Sequence, residues 1–220
     1  MLLFALAACT PMAALLMPSA PLLSAALASR GDDSATAEAI RDLQVKRDWA
    51  GLTRLANERI ALNPEDADWW VVLGYAALQR KELAEAVKIL DTAVTRAPED
   101  IDALNLLAEA QRLSGQVARA TRTLKRAMTV DPSSPISRYL LGEAYRDEGL
   151  LSRARESYAE AVRLEPEFIL AWYGLVKVLE RTGPQEDRDT ALARLRKLDP
   201  VLAQEFSDAG ESKPAGNSAR

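Results

Sequence analysis

The sequence predicts an all-α protein, a solenoid of stacked helical hairpins, and three observations point there. Pro64, Pro98, Pro132, Pro166 and Pro200 stand at one constant interval without exception, five of the eleven prolines on one lattice. Small residues recur at fixed places within each block so marked. Apolar residues follow helical spacing, as in Leu83, Val87, Leu90 and Val94, and no segment alternates with period two over strand length. Composition agrees: Ala and Leu dominate and aromatics are only 5%, which favours helix over sheet.

The lattice accounts for each element in turn. Block 67–100 reads Trp70-x2-Leu73-Gly74, then Ala86-x3-Leu90, Ala93 and Pro98. Block 101–134 reads Leu104-x2-Leu107-Ala108, Gly115, Ala120-x3-Leu124, Ala127 and Pro132. Block 135–168 reads Leu141-Gly142-x2-Tyr145, Gly149, Ala154-x3-Tyr158, Ala161 and Pro166. Gly74, Ala108 and Gly142 let the two helices of a hairpin approach closely, and Ala86, Ala120 and Ala154 offer the matching surface. Leu90, Leu124 and Tyr158 fill the space between. Gly115, Gly149 and Gly183 are expected to end first helices in the left-handed conformation a tight turn needs. Each proline biases its predecessor away from helix and closes a second helix. Ser134-Pro135 makes a cap and first-turn pair.

The flanks fit the lattice less well. Block 169–202 keeps Trp172, Gly183 and Pro200 but puts Val176, Arg188 and Leu195 at small-residue places, as a terminal repeat with a wet outer face does. Block 33–66 keeps its proline and a helical rhythm but lacks the glycines, and reads as a degenerate first repeat. Residues 29–32 form a linker, and residues 203–220 read as a disordered tail, rich in Gly, Ser, Pro and Asn from Ser207 onward.

The pattern resembles the tetratricopeptide repeat in length and in residue class at most marked positions. The resemblance covers 33–202 and is most specific in the three central blocks. It implies a right-handed solenoid with a concave groove lined by the first helix of each repeat, holding a peptide or partner protein. Carrying the family's groove positions over residue by residue gives Val71 and Tyr75, Asn105 and Glu109, Tyr139 and Glu143, then Tyr173 and Lys177, with Arg112 and Arg146 one turn further on. The alternative for Tyr139 and Tyr173 is packing between neighbouring repeats. Members that grip a C-terminal carboxylate use lysines and asparagine on these faces. Here such a ligand would meet Glu109 and Glu143, so a neutral or basic partner segment is expected. Trp70 falls on a core position of the repeat. Trp69 points about 100° round the helix and is expected to cover the first repeat.

Composition narrows the chemistry. No histidine is present, which removes Ser-His-Asp and Cys-His catalysis and imidazole metal sites. The single cysteine, Cys9, lies near the N-terminus, so a thiol nucleophile or disulfide is excluded beyond it. Glu65-Asp66-x-Asp68 and Glu99-Asp100-x-Asp102 recur just before first helices, where acidic side chains stabilise the helix dipole; that explains them without acid–base catalysis. A net charge of −4 argues against nucleic acid, for which a basic stripe is expected. The chain is therefore read as a non-enzymatic binding protein that needs no cofactor and no metal.

Residues 1–28 carry no charged side chain, and the first is Arg30. Three readings fit this leader: an export signal cleaved after Ala28, a lipoprotein signal with Leu6-Ala7-Ala8-Cys9 as lipobox and Cys9 lipidated, or an uncleaved anchor. The first lacks a basic n-region, and Pro11, Pro18 and Pro21 make a poor spanning helix. All three deliver the rest of the chain to a membrane or across it. The expected role is a bacterial envelope scaffold in assembly of a pilus, secretion or outer-membrane machine, or an accessory subunit of an envelope enzyme complex.

Overall fold

The computed structural model describes residues 34–206, all helix and turn. The leader, Cys9 and the stretch 207–220 lie outside the described residues. Five hairpins follow in order: α1 (Ser34–Val45) with α2 (Trp49–Leu62), α3 (Ala67–Gln79) with α4 (Leu83–Arg96), α5 (Ile101–Leu113) with α6 (Val117–Val130), α7 (Pro135–Asp147) with α8 (Leu151–Leu164), and α9 (Ile169–Thr182) with α10 (Gln185–Leu198). A short α11 (Pro200–Ala203) and a 3₁₀ turn (Gln204–Phe206) close the described chain. Each helix packs on its neighbours in sequence, and first helices also touch the next first helix, α3 on α5, α5 on α7 and α7 on α9. This is an all-α solenoid.

Small residues set the spacing. A Cβ added to Gly74 would lie 2.5 Å from Leu90 Cγ, and one on Gly142 would lie 2.6 Å from Tyr158 Cε1. Tyr158 is fully buried and is gripped from the other side as well, since a Cβ on Gly174 would lie 2.7 Å from the same ring atom. The terminal repeat thus places its small residue at 174, two positions before Val176, to receive the ring that α8 sends between α7 and α9.

The turns inside hairpins repeat a single geometry. Arg47, Lys81, Gly115 and Gly149, again one repeat length apart, have φ of 52°, 63°, 79° and 76°. At Gly115 the paired bonds of a Schellman turn close the helix: Gly115 N–H donates to Arg112 O at 3.0 Å and Gln116 N–H to Gln111 O at 2.7 Å. Two of these left-handed places therefore carry side chains that disfavour them. Lys81→Gly is expected to stabilise the protein by about 0.5–1 kcal/mol, because relief of that strain exceeds the added chain entropy. A chemical denaturation midpoint that fails to rise would contradict this.

Gly183 departs from the expectation. Its φ is −108° and ψ 164°, extended rather than left-handed. Pro184 is the reason, since a following proline ring pushes its predecessor into the extended region.

Between repeats, the prolines do more than end helices. Their carbonyls accept side-chain donors: Trp70 Nε1 and Arg96 Nε reach Pro64 O at 2.8 and 2.7 Å, and Trp172 Nε1 reaches Pro166 O at 2.9 Å. Arg138 and Arg194 do likewise on Pro132 and Pro166. Arg96 also lies 4.7 Å over the Trp70 ring. First helices are capped by Asp66, Asp100 and Ser134, whose side chains accept from Asp68, Asp102 and Ser137 backbone N–H groups. The acidic clusters noted in the sequence are these caps and the first-turn residues beside them. Trp69 is buried with the Arg59 guanidinium of α2 5.3 Å over its ring, so it does cover the first repeat.

The C-terminal end is a second departure. Residues 203–206 are ordered helix and turn, with Ala203 and Phe206 buried. Phe206 lies 5.3 Å from the Tyr173 ring, and Tyr173 Oη donates to Glu205 at 2.7 Å. An aromatic next to a run of small polar residues is easily overlooked, but Phe206 falls one repeat length after Trp172, where a further repeat would place its large residue.

Candidate functional site

The ten positions expected to line the groove lie on one side of α3, α5, α7 and α9, because residues four apart on a helix share a face and the lattice repeats that face. They form one row along the first helices, but much of it faces inward. Val71 and Tyr75 are buried, Tyr75 to 1% exposure with Trp49 of α2 set edge-on at 5.9 Å. The expectation that they meet a partner is corrected: both belong to the buried core, and Trp49 of α2 packs against Tyr75. Burial pushes the Tyr75 hydroxyl up to about 12, partly offset by a hydrogen bond with Gln79.

Asn105 is also buried and accepts a hydrogen bond from Ser137 Oγ at 2.8 Å, joining α5 to α7. Glu109 and Glu143 are buried and held by the arginines one turn on. Arg112 donates through Nε and Nη2 to the two Glu109 oxygens, both at 2.9 Å, and through Nη1 to Asp147 at 2.6 Å. Burial works against the Arg112 cation, but Glu109 and Asp147 outweigh it and hold its pKa above the usual range. Arg146 donates to Glu143 at 2.6 Å and lies 3.6 Å from Asp147. Tyr158 Oη donates a short hydrogen bond to the other Glu143 oxygen.

Tyr139 packs at 5.3 Å on Phe168 and 6.0 Å on Tyr158, the seam packing weighed as its alternative. Tyr173 is half-buried between Glu205, Phe206 and the Lys177 ammonium, which lies 4.4 Å over its ring. What faces outward is narrower than the expected set: Arg146, Tyr173 and Lys177 in part, with Asp147 beside them. Asp147 was missed in the sequence, and Tyr158 was read there only as a core residue, not as a partner of Glu143. Tyr158 sits at the repeat's core place, and Asp147 occupies the lattice place filled by Leu113 in the preceding repeat, so only coordinates connect them to the row.

The Glu143 carboxyl is raised above the ordinary glutamate range, first by burial, with Arg146, the Tyr158 hydroxyl and Arg112 opposing and Glu109 adding to the rise. A raised folded-state value means that the fold retains a proton the unfolded chain has released, so stability falls as pH climbs from the ordinary range through the folded value. Glu143→Gln keeps an acceptor for Tyr158 but removes the titration. Melting temperature followed across about pH 4–8 is expected to decline with rising pH more in wild type than in Glu143→Gln. Parallel curves would disprove the assignment.

Chemically, the row offers fully paired acids, bases in guanidinium form and tyrosines with raised pKa, an arrangement that holds shape and presents contact area rather than one poised for proton transfer. The sequence profile of the tetratricopeptide repeat matches residues 52–101, 105–167 and 139–200. The chain belongs to the tetratricopeptide-repeat family. Proteins of this family serve as scaffolds that bind proteins or peptides, and no enzyme family is indicated.

Solved tetratricopeptide structures share the fold. A thermophilic repeat protein of Thermus thermophilus, TTC0263, superposes with a TM-score of 0.65 at 20% identity over 76% of this chain and 93% of that one. MamA 41-end from Desulfovibrio magneticus RS-1 gives 0.57 at 20% identity over 90% and 99%. YrrB, described as a repeat protein with an unusual peptide-binding site, gives 0.58 at 18% over 86% and 99%. No curated protein matches the sequence at a significant level.

Proposed function

We propose that this tetratricopeptide-repeat protein is a non-catalytic scaffold of the bacterial cell envelope that holds a peptide or partner protein along the inner row of its first helices, in assembly of an envelope complex. The observation that carries the binding role is the row itself. Helices α5, α7 and α9 present a pre-formed surface whose side chains are locked by one another, so little rotamer freedom remains to be lost on binding. Over α5 and α7 three carboxylates face two guanidiniums, Glu109, Glu143 and Asp147 against Arg112 and Arg146, and the residual negative charge favours a neutral or basic segment. YrrB's peptide-binding site supports a peptide as occupant.

Location rests on the leader. An uncharged run to Ala28 and the lipobox-like Leu6-Ala7-Ala8-Cys9 support export or lipidation. No helix among the described residues is long and apolar enough to cross a membrane. Mass spectrometry of the mature N-terminus decides between cleavage after Ala28 and a lipid on Cys9, and an intact Met1 in a soluble fraction would refute both.

Affinity capture from detergent-solubilised membranes tests the binding role. Tyr173→Ala, which removes contact area at the accessible end of the row without changing its charge, is expected to weaken recovery of the main partner about tenfold while leaving helical content nearly unchanged. Equal recovery would count against this surface.

A further inference from the structure

On the opposite side of α5, the second helices α4 and α6 flank a cleft of about 410 Å³. Gln111 and Thr123 lie within it, joined by a hydrogen bond of 2.9 Å from Thr123 Oγ1 to Gln111 Oε1. Arg119, Arg122 and Arg126 line one wall and Asp91 the other. Gln111 is two residues from Glu109, about 200° round the helix, so this cleft and the inner row do not share a face.

The repeat lattice shows that this charge is not architectural. Helix α6 carries Arg119, Arg122, Lys125 and Arg126 and no acidic residue. The same four places hold Glu85, Lys88, Asp91 and Thr92 in α4, and Arg153, Glu156, Ala159 and Glu160 in α8. Those neighbours mix signs and pair internally, Lys88 with Glu85 at 3.3 Å and Arg163 with Glu160 at 2.7 Å. Cations three and four residues apart on α6 repel one another, which burdens the helix and gives its fold nothing in return.

Nor are the charges fully answered among the described residues. Arg119 reaches Asp91 only at 3.5 Å, with both side chains about half exposed, a weak pair. Arg126 is held by Pro98 O. Arg122 and Lys125 are exposed and have no ion-pair partner among the described residues.

We infer that the α4–α6 cleft is a second binding surface, one that takes a carboxylate-rich segment of a partner protein. Planar guanidiniums match carboxylates in bidentate geometry, and three converge on one recess. The recess favours a peptide over a bilayer, because a flat anionic surface cannot enter a cleft between two helices, whereas Asp and Glu side chains can. The inner row and this outer cleft then present opposite charge preferences, so the two faces can hold different segments at once.

The test uses the full chain and a fluorescein-labelled peptide of alternating Glu and Ser. Saturable binding that weakens with added salt is expected, with no binding of the matching Lys and Ser peptide. Arg122→Glu combined with Lys125→Glu is expected to weaken it at least tenfold, with circular dichroism and melting temperature unchanged. Tyr173→Ala on the inner row is expected to leave it unchanged, so failure here and failure of the inner-row reading are separable. Three results would overturn the inference: undiminished affinity in the double variant, no peptide binding, or binding only to phosphatidylglycerol vesicles or to inorganic phosphate.

Discussion

Arg112→Ala is expected to cost about 3–5 kcal/mol of folding free energy, the largest loss from any single change in the inner row. The Arg112 side chain is 9% exposed and that of Glu109 7%. Truncation removes both bonds to Glu109 and leaves its carboxylate buried without its cation, a far worse state than never having had the pair. The Asp147 contact adds less, since that carboxylate is 31% exposed and water screens it. Urea denaturation reads the effect as a lowered midpoint at unchanged slope. Arg112→Met with Glu109→Leu removes both charges and is expected to recover most of the loss. A single variant within about 1 kcal/mol of wild type, on the order of a surface pair's worth, would show that the pair is solvated.

Gly142→Leu is expected to destabilise by about 1–3 kcal/mol or more, through overpacking. A methyl carbon alone would lie 2.6 and 2.7 Å from Tyr158 Cε1 and Cδ1, and the ring has no room to retreat because Gly174 closes its other side. Moving the ring would also break the Tyr158–Glu143 hydrogen bond, so the damage reaches the inner row. Gly142→Ala is expected to fall between wild type and leucine. Full stability of the leucine variant would mean that α7 and α8 stand further apart than these contacts allow.

The fold was legible because its determinants are local and periodic. A proline closing every repeat, small residues where helices cross and caps at Asp66 and Asp100 each act within a hairpin or across the next turn. The inner row was legible as a set of positions, since the lattice fixes which residues share a face. Its accessibility was not. Whether Tyr75 meets water depends on Trp49 in the preceding repeat, and whether Glu143 is a free acid depends on Arg146 and on Tyr158 in the next helix. Periodicity states where a side chain sits; it is silent on which neighbour reaches it. The same limit explains Gly183, where one proline overrides the lattice, and Arg47 and Lys81, where the backbone repeats though the glycine does not.

Phe206, seated on Tyr173, has a consequence for assembly. Every repeat in such a rod offers a greasy flank to its successor, and beyond α10 the described residues hold no further hairpin. Here a single aromatic, one repeat length after Trp172, is laid on that flank like a stopper in a tube. By covering that flank, Phe206 and Tyr173 reduce the apolar area it would otherwise offer to a second copy.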